Sequence, residues 1–248
     1  MSNANSSPSI TVITVVYNGA DLIEKTIKSV INQTYPLEYI IVDGESKDGT
    51  IDIIKRYEKQ ISLWKSGKDR GIYDAMNKGV DMASGEWICF LNCGDVFSDE
   101  NTVAAVAENI SANNQPDIIY GDIFTKNTDG SLRLKPAKEP CNLHRMYFCH
   151  QASFSKRILH QTFPFDIRHK LSADLKFFKE CFFNNCRFVH MPLPVVIYDT
   201  NGISNTNREA GLRDNIAVIK SVDKHFSKYL FLARLYFVIY WRRLNRKN

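Results

Sequence analysis

The segment FLNCGD, from Phe90 to Asp95, closes an apolar run with a polar turn whose last residue is a carboxylate. Gly94 leaves room for a close approach. A divalent ion such as Mg²⁺ or Mn²⁺ asks a protein for only one or two carboxylates and takes its other ligands from substrate phosphates. Asp95 is therefore a candidate metal ligand, with Asn92, Cys93 and Gly94 shaping the turn around it. The plain alternative is a turn aspartate bonded to its own loop. A second polar loop, DGESKDGT at Asp43 to Thr50, offers Asp43 and Glu45 as acceptors for a nucleobase imide or ribose hydroxyls, while Asp48 suits the cap of the next helix. A third segment, KDRGIYDAMNKG at Lys68 to Gly79, sets Lys68 and Arg70 beside Asp69. Cations there can neutralise phosphates or pair with Asp69. Asn77, a further candidate for holding the nucleotide sugar, and Lys78 follow on a helix face, where solvation accounts for Lys78.

These residues need elements to hold them. Ile10 to Val16 is a β-branched run, followed by the Tyr17-Asn18-Gly19 turn and a helical pattern carrying Leu22, Ile23, Ile27, Val30 and Ile31. Tyr39 to Val42 reads as a second strand, with a helix from Ile51, and Ile61 to Trp64 as a third. Gly71 to Ala83 is a helix and Glu86 to Leu91 a fourth strand. The alternation predicts a parallel sheet covered by helices, with Tyr17-Asn18, Asp43 to Asp48 and Asn92 to Asp95 opening on one crevice beyond the strand ends. Past residue 115 the pattern changes. Asp117 to Lys126 and Ser131 to Lys135 flank a TDG turn as a hairpin, and a helix begins near Ser172. Two short strands are expected around Arg187 to Met191 and Val195 to Tyr198, and helices close the chain from Arg208.

With 44% hydrophobic residues in 248, the chain can bury a sizeable core. Residues 1–9 read as a loose tail, 10–223 as one domain with a nucleotide-binding half (10–115) and an acceptor-side half (116–223), and 224–248 as a basic, aromatic helix. The net charge of +5 concentrates in that last segment, which argues against a nucleic-acid groove. The six cysteines show no CxxC pair and read as reduced, mostly buried thiols. No signal-peptide pattern and no run of 18 apolar residues appear, so the cytosol is the expected compartment.

Taken in order, ITVVYNG, IIVDGESKDGT and KDRGIYDAMNKGVDMASGEWICFLNCGD, roughly residues 9 to 100, resemble the amino-terminal half of family 2 glycosyltransferases. The resemblance implies a GT-A type α/β fold: a Rossmann-like, mostly parallel central sheet flanked by helices, with a small antiparallel element and C-terminal helices. It also implies a nucleotide base held by the first loop and Asp43, and a metal held at the position of Asp95. Acidic residues common in that turn are replaced here by Asn92 and Gly94, so the resemblance implies a sparse metal site completed by the donor. CHQASF, LSADLKFF and NGIS at Asn201 to Ser204 carry a fainter likeness. In the family a Glu-Asp pair supplies the catalytic base, and only its aspartate, Asp174, is kept after Ala173. As a first-turn carboxylate, Asp174 is also favoured by the helix dipole, by about 0.3–1 kcal/mol. His150 and Gln151 can face the diphosphate, the metal or the acceptor, and Arg208 can close over the diphosphate.

Tyr229 to Trp241 is apolar apart from Arg234, and RRLNRKN follows. Thirteen helical residues reach about 20 Å, short of the roughly 30 Å of a bilayer core, so residues 229–248 suit peripheral contact with the inner face of the cell membrane, or packing on the body or a second subunit. The expected activity is inverting transfer from a nucleotide diphosphate sugar, expected to be UDP-linked, to a hydroxyl of a saccharide or lipid-linked saccharide, with Mn²⁺ or Mg²⁺. The alternatives are a nucleotide-sugar-binding module without catalysis and a sugar nucleotidyltransferase. The absence of a Gly-rich phosphate loop lowers the latter.

Overall fold

The computed structural model describes residues 7–113, 116–127, 129–140, 148–199 and 208–245. Strand β1 (Ile10–Val16) lies parallel between β2 (Glu38–Asp43) and β4 (Trp87–Phe90), and β2 carries β3 (Leu63–Ser66) on its far side, also parallel. Helices α1 (Ala20–Ile31), α2 (Thr50–Arg56) and α3 (Ile72–Met82) make the crossovers. β1 reads as an unbroken apolar run because it is buried on both faces, as parallel strands are. Its side chains still alternate. Ile10, Val12 and Val16 join the core under α1 and α4 (Thr102–Ala112), whereas Ile13 and Val15 join the core under α3 and α6 (Ala173–Phe183).

The sheet continues beyond β4 in a different grammar. Its order is β3-β2-β1-β4-β8-β6-β9-β5, with β7 added to β6. Strands β5 (Val96–Phe97), β6 (Ile118–Lys126), β7 (Leu132–Lys135), β8 (Ser153–Lys156) and β9 (Phe188–Tyr198) supply this half. β8 runs antiparallel to both β4 and β6, β6 and β7 form the expected antiparallel pair, and β9 runs parallel to β6. Helix α5 (Arg157–Thr162) follows β8, and α7 (Arg208–Val222) and α8 (Lys228–Asn245) end the described chain.

Two expectations are corrected. The third strand starts two residues later than its apolar onset suggested, at Leu63. The pair of short strands around 187–198 is one strand, β9. Pro192 and Pro194 break the ladder without ending it. Met191 pairs with Gly121 and Pro194 with Asp122, so residues bulge out where prolines have no N–H to give. Gly121 is required there, because a Cβ would stand 2.7 Å from the Leu193 carbonyl oxygen.

Candidate active site

The first two strand-end loops are stitched together by side chains. Asp43 ends β2 fully buried, and its Oδ2 accepts from the Glu45 N–H (3.0 Å), the Ser46 N–H (3.0 Å) and the Ser66 hydroxyl (2.6 Å). Its other oxygen, Oδ1, is buried without a hydrogen-bond partner. A charged acceptor left unmatched costs free energy unless something completes it, so Oδ1 is poised for a donor from a ligand. The Ser46 hydroxyl accepts from the Asn18 N–H, and Asn18 Oδ1 accepts from the Lys47 N–H. Asp48 accepts from the Ala20 N–H and from both the N–H and hydroxyl of Thr50, clasping the starts of α1 and α2. Around Gly44 stand Tyr17, whose ring is 67% exposed, and the Asp69 carboxylate. Glu45 projects outward beside Lys47 at 3.8 Å. Tyr17, Asn18, Asp43, Glu45 and Asp69 therefore share one rim.

The cations are arranged differently from expectation. Arg70 does not pair with Asp69. Its guanidinium reaches Asp74 at 2.9 Å, and Lys78 reaches the same carboxylate at 3.0 Å. Burial opposes ionisation of Asp74, but the two cations outweigh it and hold the carboxyl down at about 2. Asp69 instead accepts from the Gly71 N–H, and Lys68 lies exposed, its backbone carbonyl taking the Lys78 ammonium. Asn77 departs furthest from its expected role at the donor. Its amide donates to the Phe165 carbonyl and accepts from the Phe165 N–H, so it is spent on fastening that segment.

The turn after β4 is held from α1. The Thr26 hydroxyl accepts from the Gly94 N–H and donates to the Asp95 carbonyl. Gly94 adopts φ 103, and a Cβ there would sit 2.8 Å from an oxygen of Asp199, so only glycine fits on both counts. The Asp95 side chain is buried, and its Oδ1 accepts from the Asp199 N–H at 2.8 Å. Burial raises its carboxyl to about 6, offset in part by that N–H, by His150 and by the Gln151 side chain. Cys93 packs on Gly19, and burial pushes its thiol up to about 12, which suits a spacer rather than a ligand.

Asp95 and Asp199 are hard oxygen donors side by side, and among the described residues no cluster of three or more His, Cys, Asp or Glu is arranged to hold a metal. That sparse set fits Mg²⁺ or Mn²⁺ completed by phosphate oxygens, and it fits neither a closed zinc site nor a calcium cage. Asp199 had a legible signal, since it follows an apolar strand just as Asp43 and Asp95 do.

The opposite wall centres on Asp174, in the first turn of α6. Its Oδ1 accepts from the Tyr73 hydroxyl (2.9 Å) and the Leu175 N–H (2.8 Å), and its Oδ2 lies 3.0 Å from His150 Nδ1. Burial favours the neutral acid, but His150, Tyr73 and the Leu175 N–H prevail and hold the carboxyl below its ordinary value. His150 Nε2 stands 3.2 Å from Asn92 Nδ2, in the turn that carries Asp95. Gln151, buried, also accepts from the Cys149 thiol. Adjacent residues His150 and Gln151 thus reach Asp174 and Asp95 respectively. Tyr73 went unnoticed in the sequence because its partner lies 101 residues away. Arg208 begins α7 as an exposed residue, and Asn201 to Ser204 lie outside the described residues.

Known proteins agree with this architecture. The sequence model of Glycosyl transferase family 2 matches residues 11–174. The PGL/p-HBAD biosynthesis glycosyltransferase of Mycobacterium tuberculosis (strain H37Rv) is 30% identical, over 96% of this chain and 98% of that one. Among solved structures, S. aureus TarS 1-349 in complex with UDP-GlcNAc superposes with a TM-score of 0.70 at 17% identity, covering 92% of this chain and 71% of that one. The mannosyltransferase PcManGT from Pyrobaculum calidifontis, in complex with GDP-Man and Mn²⁺, gives 0.70 at 17% identity, covering 95% and 70%. These likenesses establish the GT-A type fold and set aside the nucleotidyltransferase alternative. The chain belongs to glycosyl transferase family 2 and is a glycosyltransferase.

Proposed function

We propose that the enzyme transfers a sugar from a UDP-sugar to a hydroxyl of a saccharide or lipid-linked saccharide, with inversion at the anomeric carbon. The observation that carries this reading is the junction of the two walls: His150 and Gln151, neighbours in the chain, join the carboxylate of the acceptor wall to the carboxylate of the metal turn. A single displacement needs a base on the acceptor side and charge neutralisation on the leaving side, close together. Asp43, Glu45 and the Asn18 loop would hold the nucleoside, with Tyr17 lying over it. Asp69 lines the same rim beside Gly44, with Lys68 and Arg70 next to it in the chain. Asp95 and Asp199 would hold a divalent metal, which when bound neutralises the departing diphosphate. The Asp174 centre would take the proton from the acceptor hydroxyl. The lipid-linked acceptor draws support from the mycobacterial relative, whose name places it in PGL/p-HBAD biosynthesis.

A membrane-facing tail fits the same acceptor. In α8, Leu232 and Ile239 turn inward onto Ile216 and Ile219 of α7, while Leu230, Phe237, Tyr240 and Trp241 point outward, with Phe226 just before the helix 83% exposed. From Lys224 onward the chain holds seven basic residues and no acidic one. Among the described residues no helix is long and apolar enough to cross a membrane. An aromatic face with basic flanks suits the headgroup region of an anionic bilayer, whereas self-pairing of that face would set like charges together.

Thermal shift with UDP-GlcNAc, UDP-glucose, UDP-galactose and GDP-mannose, each with and without Mn²⁺, tests the donor. The expected result is metal-dependent stabilisation by a UDP-sugar and slow release of UDP. Stabilisation by GDP-mannose alone would overturn the nucleotide assignment. Stabilisation with no hydrolysis or transfer over a panel of saccharide and lipid-linked saccharide acceptors would overturn the proposed donor and acceptor pairing.

A further inference from the structure

Asp174 is presented by a segment that does not cap its own helix. Ser172 stands at the N-cap of α6, where a serine hydroxyl ordinarily accepts from the first helical N–H groups, yet it makes no such bond. The hydroxyl of this buried serine donates instead to Asn215 Oδ1 of α7, at 2.6 Å. Beside Asn215, Asp214 takes two more residues of the segment: its Oδ2 accepts from the Leu171 N–H and its Oδ1 from His169 Nδ1, both at 2.8 Å. Lys170, between them, reaches the other way. Its ammonium donates to the Arg70 carbonyl at 2.7 Å, just ahead of α3, and Asn77 of α3 holds Phe165 through both of its amide atoms. The run from Phe165 to Ser172 is therefore stretched between α3 and α7, with Asp174 at its end. Aspartate and asparagine are poor formers of a helix interior, because their short side chains compete for backbone hydrogen bonds. Asp214 and Asn215 nonetheless sit in the middle of the 15-residue α7, which Ile216 and Ile219 anchor on α8. Their partners outside the helix explain their place.

We propose that Asp214 is a positioning residue for the transfer: through the Leu171 N–H and the His169 ring it fixes the segment that aims the Asp174 carboxylate at the acceptor hydroxyl, while Asn215 holds Ser172 beside it. This rests on the transferase reading above, in which Asp174 takes that proton. Asp214 acts through the segment alone, and its contribution is geometric. A base must stand within hydrogen-bond reach of the proton it removes, and a displacement of about 1 Å can cost roughly 10²-fold in rate. The nucleoside and diphosphate are assigned to other loops, so a loosened segment lowers kcat and leaves donor KM alone.

The first measurement is UDP release from UDP-GlcNAc, UDP-glucose and UDP-galactose with Mn²⁺. Using the donor that the wild type turns over, Asp214→Ala should lose roughly 10–10² in kcat, with donor KM unchanged. Asp214→Asn should keep most of the activity. Its amide oxygen still accepts the Leu171 N–H, and its NH₂ meets the His169 ring once that ring exchanges tautomer. Full kcat in Asp214→Ala, or equal loss in both variants, would overturn the proposal and leave the transferase reading standing. The second measurement, hydrogen exchange on the full chain, needs no turnover. In Asp214→Ala the amides of residues 171–175 should exchange about tenfold faster or more, with β1 and β4 unchanged. Unaltered exchange at 171–175 would overturn the proposal. Should Asp214→Ala not fold, Asn215→Ala carries both measurements, with a smaller loss of the same pattern expected. Absence of turnover by the wild type with every donor would instead remove the transferase reading, and hydrogen exchange would still decide whether Asp214 fixes the segment.

Discussion

The donor wall and the acceptor wall are built by different kinds of contact. On the donor side, Asn18, Asp43, Asp48 and Thr26 bond mostly to backbone N–H groups, which shapes loops. On the acceptor side, Asn92, His150, Asp174 and Tyr73 bond to one another through side chains that come from four separate elements. Changes to the first wall should register as loss of stability together with ligand binding, and changes to the second as loss of chemistry in a protein that still folds and binds. Substitutions in the two walls can break or sharpen that contrast.

The largest effect is expected at Asp174→Asn. Removing the charge removes the carboxylate placed to take the acceptor's proton, and kcat should fall by roughly 10²–10⁴ while donor-induced thermal stabilisation is kept. A parallel loss of donor binding would show that the walls are not separable. Asp95→Asn should act in the opposite sense on the free protein. Unfolded, this carboxyl takes its proton near 3.8, and folded it does so near 6. Between those values the folded state holds the proton more tightly, so the free enzyme loses stability as pH rises through that window. By pH 8 the deficit is on the order of 2–3 kcal/mol. Asparagine can still accept the Asp199 N–H and avoids the charge, so melting at pH 8 should rise, and metal-dependent donor stabilisation should vanish. In the wild type, apparent metal affinity should weaken about tenfold per pH unit below 6, measured by calorimetry with Mn²⁺ and UDP.

Asp43→Asn comes next. One oxygen remains for three donors, and the charge is gone, so a cost of about 1–3 kcal/mol and a weakening of UDP binding are expected together, by denaturant titration and calorimetry. The smallest effect belongs to Asn18→Ala. It removes the bond to the Lys47 N–H and places alanine at φ 48, for about 1–2 kcal/mol, with donor KM raised and kcat nearly unchanged.

The same contrast explains what could be read from the sequence. β1 to β4 and α1 to α3 were legible because apolar runs buried on both faces alternate with glycine- and aspartate-rich turns, and each turn's partners lie close by in sequence or at the next strand end. Asn77 could be placed on a helix face, but its partner Phe165 lies 88 residues on, and no local pattern announces it. Arg70 and Asp69 are neighbours in sequence, yet helical spacing gives Asp74 the better approach, four residues on. β8, SFSK, is short and polar at three of its four positions, and its pairing with β4 and β6 is a tertiary choice. Asp174 was identified through the family pattern, whereas its link to His150 became visible only with both walls in place.

The bulge in β9 has a consequence for anyone who would cut or graft this enzyme. Seven steps along β6, from Ile118 to Thr125, are matched by ten along β9, from Phe188 to Tyr198. The three surplus residues around Pro192 and Pro194 act as a phase shifter: an odd surplus exchanges the two faces of the strand, so that the stretch entering the bulge and the stretch leaving it follow opposite parity. Asp199 comes one residue after that strand. A single deletion within 192–194 would leave the prolines' neighbourhood superficially intact yet rotate the strand's output by half a turn, and the carboxylate beside Gly94 would be delivered to the wrong side of the sheet.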